Sequence, residues 1–407
     1  RVSSPPILSL LLPPFSLKKA THHCGVLAAS SQTHARIIPF RVSGALPLPS
    51  AFRSTPGPEM KKGFFGGAPK PKQSPAPTSS ASAPDAGSGQ APAALAVASA
   101  ERVIAAAAAF SLIPVGERAR KLCETASKGA LRMQATAAKG RHMVATRNVK
   151  EGEELLTSDC YATVVAEARS EALCGRCMGP GGGTAPMRCG TCGTRFCEKT
   201  CLDDAGAEHV AECAGLAALR KLQRRLACDS DTARLALRAL ARKALEAPPQ
   251  DDGEVHWQDV ETLLSHRPIA EKSSLFSQRL ADAEVLLTLL PPPVRGQLSA
   301  EAAAELLLRI RYNSFPIADS AGAAEIGLGL YPAAALLNHS CAPNGALAFA
   351  AGGGALSVRA VVDIAAGEEV TFSYIDPLQP RAARQALLKA AYAFDCSCTL
   401  CTAPGGE

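Results

Sequence analysis

No run of about eighteen or more apolar residues occurs in the chain, so no segment is expected to cross a membrane as a helix. Aromatic residues are scarce at 4%, although 47% of the 407 residues are hydrophobic. Alanine supplies much of that content, enough for sizeable cores in two or three domains. A strong charge of one sign is missing too. The net charge of +6 comes without the dense Lys/Arg patterning of a dedicated nucleic-acid binder, so nucleic acid is an open partner that the charge pattern does not support. No Asp or Glu precedes Glu59, and no clear secretory signal is present. Cysteine is abundant by contrast. Of the fifteen, seven lie from Cys174 to Cys213 and three from Cys396 to Cys401. Tight clusters without a secretory signal favour metal over disulfides, and hence a reducing compartment.

Residues 1–100 read as a leader or low-complexity segment, with little packing expected against the rest. The acid-free stretch before Glu59, rich in Ser, Pro and Arg, would suit a plastid or mitochondrial transit peptide. Met60 is an equally good start, which would make 1–59 translated leader. Residues 67–100 are Ala/Pro/Ser/Gly-rich and cannot bury enough surface to order themselves. Residues 101–138 are expected to form a helical lead-in. Residues 139–146 and 148–156 are two short alternating segments that meet at a Lys-Glu-Gly turn, the pattern of a hairpin.

From Cys174 the spacing is that of a metal module: Cys174-x2-Cys177, Cys189-x2-Cys192-x4-Cys197-x3-Cys201, then His209-x3-Cys213. These eight ligands suffice for two tetrahedral sites, and zinc takes soft or borderline ligands in this way. His209 and Cys213 share a face if this stretch is helical. Spacing supplies the ligand set and leaves the pairing open. Residues 214–310 then read as helical, with breaks at Pro248-Pro249 and Pro291-Pro292-Pro293.

Arg311-Tyr312-Asn313-Ser314-Phe315-Pro316-Ile317 looks extended, and Glu325-Ile326-Gly327-Leu328-Gly329-Leu330 is a glycine-alternating strand. An apolar run follows and ends in Asn338-His339-Ser340-Cys341. Residues 345–362 form two strands around Gly352-Gly353-Gly354, and a Gly367-Glu368-Glu369 turn leads into Thr371-Phe372-Ser373-Tyr374. Three cysteines in six residues, Cys396, Cys398 and Cys401, lack a fourth ligand nearby. Taken singly, Asn338 reads as a cap, His339 as a core histidine, Cys341 as a small buried hydrophobe and Tyr374 as core.

Taken together, these segments resemble the SET-and-MYND family of SET-domain lysine methyltransferases, over roughly residues 139–401. The resemblance implies an α+β chain: a mostly-β SET domain with a helical insertion, an inserted MYND zinc finger and a zinc-stapled post-SET tail. Its parts would be 139–173 (SET, N-terminal part), 174–213 (finger), 214–310 (helical insertion), 311–380 (SET core) and 381–407 (post-SET). In the family's pairing, Cys174, Cys177, Cys197 and Cys201 hold one zinc, and Cys189, Cys192, His209 and Cys213 a second. Cys341, Cys396, Cys398 and Cys401 hold a third. Gly140, Arg141, Asn313, Asn338 and His339 would line the site for S-adenosylmethionine, Asn338 and His339 largely through main-chain groups. Phe394 would pack on the donor or the lysine channel, and Tyr374 would be the catalytic tyrosine, also touching the donor. Two positions depart from the pattern: His142 stands where the family often has a second Gly, and Ala335 where animal members often have Ser. Many members continue into a C-terminal helical-repeat domain, whereas this chain stops at Glu407.

The implied function is methyl transfer to lysines of histone or non-histone proteins by a monomer in the nucleus or cytoplasm, or in a plastid if residues 1–59 are a transit peptide. MYND fingers elsewhere bind proline-containing peptides, so such a peptide is a candidate partner. The alternative is a non-catalytic scaffold that binds protein partners through the finger.

Overall fold

The computed structural model describes residues 115–403, apart from 183–185, 249–253, 320–321 and 323. The expectations for residues 1–100, and for 101–114 of the helical lead-in, lie outside the described residues.

Helix α1 (Glu117–Ser127) opens the described chain and ends where Lys128 and Gly129 both turn left-handed. The helical lead-in expected to 138 therefore stops early, and Leu131–Thr136 is strand β1. Its antiparallel partner is β2 (Gly140–Ala145), with Leu131 opposite Ala145. This corrects the expected hairpin. Residues 140–145 pair backwards onto β1, and β3 (Glu154–Asp159) pairs elsewhere, on β11 (Ala355–Ala360). The Lys150-Glu151-Gly152 turn separates two sheets, because β2 pairs with the strand just before it and β3 with β11, far along the chain. The order β3–β11–β10 (Gly345–Phe349) makes one three-stranded sheet. The strands β4 (Ala162–Val165), β8 (Glu325–Leu330) and β7 (Ser314–Ala318) make another, with β8 central.

In β8 the alternating glycines are required by crowding. A Cβ on Gly327 would lie 2.5 Å from the Val164 carbonyl oxygen, and one on Gly329 2.7 Å from the Tyr331 ring. The two-residue strands β9 (Asn338–His339) and β12 (Thr371–Phe372) pair in parallel.

Helices contain more of the described residues than strands do, so the fold is mixed α/β: small sheets carry the core and helical insertions enlarge it. A short hairpin, β5 (Met187–Arg188) with β6 (Arg195–Phe196), lies in the cysteine-rich module. Next, α2 (Lys199–Leu222) bends at Gly206 (φ 43°, ψ −134°). This helix carries Cys201, His209 and Cys213 and runs on into the helical insertion. The boundary expected at 213 therefore falls inside a helix, which welds the finger to the insertion.

Helix α3 (Ser230–Leu245) is capped by the Asp229 carboxylate, which accepts the Thr232 N–H. Seven of its residues, four of them alanines, are buried, so small side chains let neighbouring elements approach on most sides. The short α4 (Trp257–Glu261) and α5 (Arg267–Ala270) precede α6 (Leu275–Thr288), and α7 (Pro292–Arg295) precedes α8 (Ala300–Asn313). Helix α8 packs on α6 and α3. It ends at Asn313, so Arg311, Tyr312 and Asn313, read as extended from sequence, are its last turn. The strand begins only at Ser314, where the proline at 316 bars further helix. Helix α9 (Arg381–Tyr392) and α10 (Thr399–Thr402) complete the fold. No helix among the described residues is long and apolar enough to cross a membrane.

Candidate active site and metal centres

Three groups of thiols and imidazole come together: Cys174, Cys177, Cys197 and Cys201; Cys189, Cys192, His209 and Cys213; Cys341, Cys396, Cys398 and Cys401. Within each group the candidate ligand atoms all lie within 4.8 Å of one another. A tetrahedral zinc with Zn–S bonds of about 2.3 Å places its sulfurs about 3.8 Å apart. The observed sulfur separations are 3.6 Å (Cys177–Cys197), 3.4 Å (Cys189–Cys213), and 3.6 and 4.0 Å from Cys341 to Cys401 and Cys396. These are far too long for disulfides, and the cysteines are free. Donor chemistry and spacing both fit zinc. Each group has at least one thiol made acidic: Cys174 at about 7, Cys189 and Cys398 at about 6, with Cys192 also lowered. Burial pushes the first three up, and hydrogen bonds, chiefly from backbone N–H groups, outweigh it.

The first two groups interleave because the β5–β6 hairpin and α2 each contribute to both. Phe196 lies fully buried between them, edge-on to His209 with ring centres 5.3 Å apart. Behind His209, Glu212 is 1% exposed and takes two nitrogens of Arg238 from α3, at 2.7 to 3.2 Å. The third group joins the Cys341 corner to the segment after α9. Arg384 of α9, 3% exposed, directs Nη2 at the Cys401 sulfur, 3.8 Å away. Sequence offered no sign of Arg384, which reads there as an ordinary helical arginine.

Strand β9 carries Asn338 and His339, both half-buried, and the chain leaving β12 brings Tyr374 beside His339. The Tyr374 hydroxyl donates to the Leu337 carbonyl at 2.6 Å, and its N–H donates to His339 Nδ1 at 2.9 Å. Burial pushes the phenol's pKa well above its ordinary value. Phe394 lies against the His339 ring at 5.9 Å and edge-on to Tyr374 at 6.5 Å. Asn313 joins Tyr374 in lining a small half-open pocket, with Tyr312, Phe315, Phe372 and Tyr392 among its other walls. The Asn313 amide donates to the Leu264 and Arg309 carbonyls at 2.9 and 2.8 Å, so its oxygen is the atom left to offer a ligand.

Gly140 and Arg141 begin β2, and Gly140 takes a φ of 64° that favours glycine. The Asn338 amide donates to the Lys139 carbonyl at 3.1 Å, tying β9 to that turn. Arg141 Nε is buried with no hydrogen-bond partner among the described residues, and burial lowers its pKa. His266, whose ring meets Tyr312 at 4.7 Å, is held at about 4 by burial and then by the Arg141 charge. An orphaned buried donor, a main-chain strand whose only strand partner among the described residues is β12, and a glycine turn form a cradle that a polar, extended ligand could fill.

Sequence reasoning missed Tyr392. Its ring lies 4.9 Å from Tyr374 and forms one wall of the pocket, and burial pushes its phenol up to about 12. An aromatic pair two apart, Tyr392 and Phe394, just before the last cysteines was the available signal. His142 is buried, and its Nδ1 lies 3.0 Å from the Gly140 carbonyl, so it closes the turn where a second glycine was expected.

Residues 196–375 match the family model described as SET domain. Among curated proteins, the chain is 31% identical over 277 residues to the histone-lysine N-methyltransferase SMYD3 of Mus musculus, covering 65% of this chain and 60% of the relative. It is 31% identical over 282 residues to the N-lysine methyltransferase SMYD2-B of Danio rerio (66% and 59%). It is 29% identical over 272 residues to the histone-lysine N-methyltransferase ASHR1 of Arabidopsis thaliana (65% and 53%). The chain thus spans between half and three-fifths of the lengths of these relatives. Among solved structures, "Structure of Rubisco LSMT bound to AdoMet" overlaps 70% of this chain and 57% of its own at 10% identity, with a TM-score of 0.34, too loose a likeness to carry an argument.

Proposed function

We propose that the protein transfers a methyl group from S-adenosylmethionine to a lysine side chain of another protein. The observation that carries the proposal is Tyr374, held at its main-chain N–H and its hydroxyl, at the wall of an aromatic pocket beside a cradle with an unmet buried donor. Similarity to SET-domain proteins named as lysine methyltransferases supports it. When bound, S-adenosylmethionine would supply an electrophilic methyl on a sulfonium. Gly140, Arg141, Asn313, Asn338 and His339 would hold it, with Phe394 packed alongside.

The chain's own work is orientation and desolvation. A free lysine amine has a pKa of about 10.4 and attacks only when neutral. No carboxylate is among the described residues that line the pocket, so burial disfavours the ammonium form, and the aromatic faces offset part of that penalty. Tyr374 stays protonated because of its burial, so it is no general base. Its hydrogen is committed to Leu337, which leaves an oxygen lone pair to accept an amine N–H and aim the nitrogen. Tyr392 and Phe372 confine the lysine stem. Three zinc ions, one per cysteine group, would fold the finger and staple the C-terminal segment over this wall.

The relatives' printed names include both histone-lysine and N-lysine enzymes, so the substrate proposed is a protein with an exposed lysine, histone or not, in nucleus or cytoplasm. The test is methyl transfer from radiolabelled S-adenosylmethionine into a proteome extract by zinc-loaded protein. A discrete labelled band that falls about 100-fold or more in Tyr374→Phe supports the proposal. Absence of label together with absence of donor binding by calorimetry would refute it and leave the scaffold reading.

A further inference from the structure

Between Tyr374 and the third cysteine group lies one imidazole. His339 Nδ1 is 2.9 Å from the Tyr374 main-chain nitrogen, and His339 Nε2 is 3.2 Å from the Cys341 sulfur. A main-chain N–H can only donate, so Nδ1 is the acceptor and carries no hydrogen. The neutral ring's hydrogen is then on Nε2, aimed at sulfur. Cys341 is 3% exposed and Arg384 approaches the same group from α9, so water does not compete freely for these sulfurs.

We propose that His339 is a positioning residue whose side chain ties the place of the Cys341 sulfur to the Tyr374 main chain. This goes beyond main-chain contact with the donor, and it rests on the reading of Tyr374 as the orienting group. With metal on Cys341, the thiolate holds Nε2–H, the ring is fixed, and Nδ1 anchors the Tyr374 main chain. With the metal lost, the Cys341 sulfur is no longer held in place by a shared ion, and the imidazole loses a fixed anchor on that side. The phenol then keeps only its bond to Leu337. Loading of the post-catalytic cysteine group would thereby set the position of the catalytic oxygen as well as the fold of the tail.

The first experiment uses the wild-type chain loaded with cadmium-113 and nitrogen-15 histidine. The expected spectrum shows His339 protonated at Nε2 and bare at Nδ1, with a through-hydrogen-bond coupling from Nε2–H to the cadmium correlated with the Cys341 Hβ protons. The Nδ1–H tautomer, or no coupling, overturns the proposal. In Cys398→Ser, which weakens only this group, the Tyr374 amide resonance should move while those of β5 and β6 stay; an unmoved Tyr374 amide overturns the link. In zinc-loaded protein, His339→Ala should lower kcat by about tenfold with donor affinity retained, and His339→Asn, which restores an acceptor near Nδ1, should recover part of it. Equal kcat in wild type and His339→Ala overturns the positioning role. If the wild type transfers no methyl yet shows the coupling and the amide shift, methyl transfer fails as the function while the link from Cys341 to Tyr374 stands.

Discussion

Removal of Glu212 should loosen both the fold and the second metal group. Its carboxylate is 1% exposed and sits on α2 between Arg238 of α3 and His209. Burial alone would push its pKa up, and the Arg238 charge and hydrogen bonds hold it below the ordinary value. Arg238 Nη1 also donates to the Thr163 and Gly175 carbonyls, so one carboxylate links the finger, α3 and β4. Truncation strands a buried guanidinium, a loss of about 3–5 kcal/mol. The two carbonyls retained by Arg238 place the expectation for Glu212→Ala near 3 kcal/mol. The second effect acts on metal. Glu212 lies 3.7 Å from His209 Nδ1, beyond an ordinary hydrogen bond, so the loss of zinc affinity should fall at the low end for such outer partners, about tenfold. Glu212→Gln keeps an acceptor and should lose roughly half as much stability. Urea unfolding of zinc-loaded protein reads the first effect, and chelator competition at the finger reads the second. A Glu212→Ala protein within about 1 kcal/mol of wild type, with unchanged zinc release, would refute the reasoning that this pair joins finger to core.

Other outcomes follow from single observations. Gly327→Ala would set a Cβ 2.5 Å from the Val164 carbonyl, which cannot retreat without opening the β4–β8 pairing; about 2–3 kcal/mol should be lost, while Gly354→Ala, with nothing within 4 Å, should be near neutral in the same thermal melts. His266 has its pKa lowered to about 4, so the unfolded chain binds that proton first as pH falls. Its contribution is fully present above about pH 6.5 and is lost progressively toward pH 4, by at most about 3 kcal/mol; His266→Gln should flatten urea midpoints over that window, and an unchanged pH slope would contradict it. Metal analysis should find three zinc ions per chain; two, with Cys341, Cys396, Cys398 and Cys401 open to alkylation, would remove the third group from the scheme.

The cysteine and histidine spacing determined much on its own. Two thiols separated by two residues are brought together by a local turn, and His209 and Cys213 share a face once helical, so the pairs assemble from local geometry, while the fold decides which pairs meet in one group. The same holds for the glycine-alternating β8 and for the two strands around Gly352, where period and turn chemistry are short-range. Tertiary structure decided the rest. The partner of 140–145 was misread because register depends on a strand 131–136 that alanine-rich sequence disguised as helix. Asn313 was read as extended because helix α8, driven by burial of Leu306, Leu307 and Ile310, runs three residues past its apolar pattern. Tyr392, Arg384 and His266 join the site only by packing across long sequence gaps, and no local pattern marks them. The sequence pointed to the candidate ligands and to Tyr374; which ring nitrogen of His339 carries the proton is decided only when β9 meets the main chain at Tyr374, because a main-chain N–H can only donate.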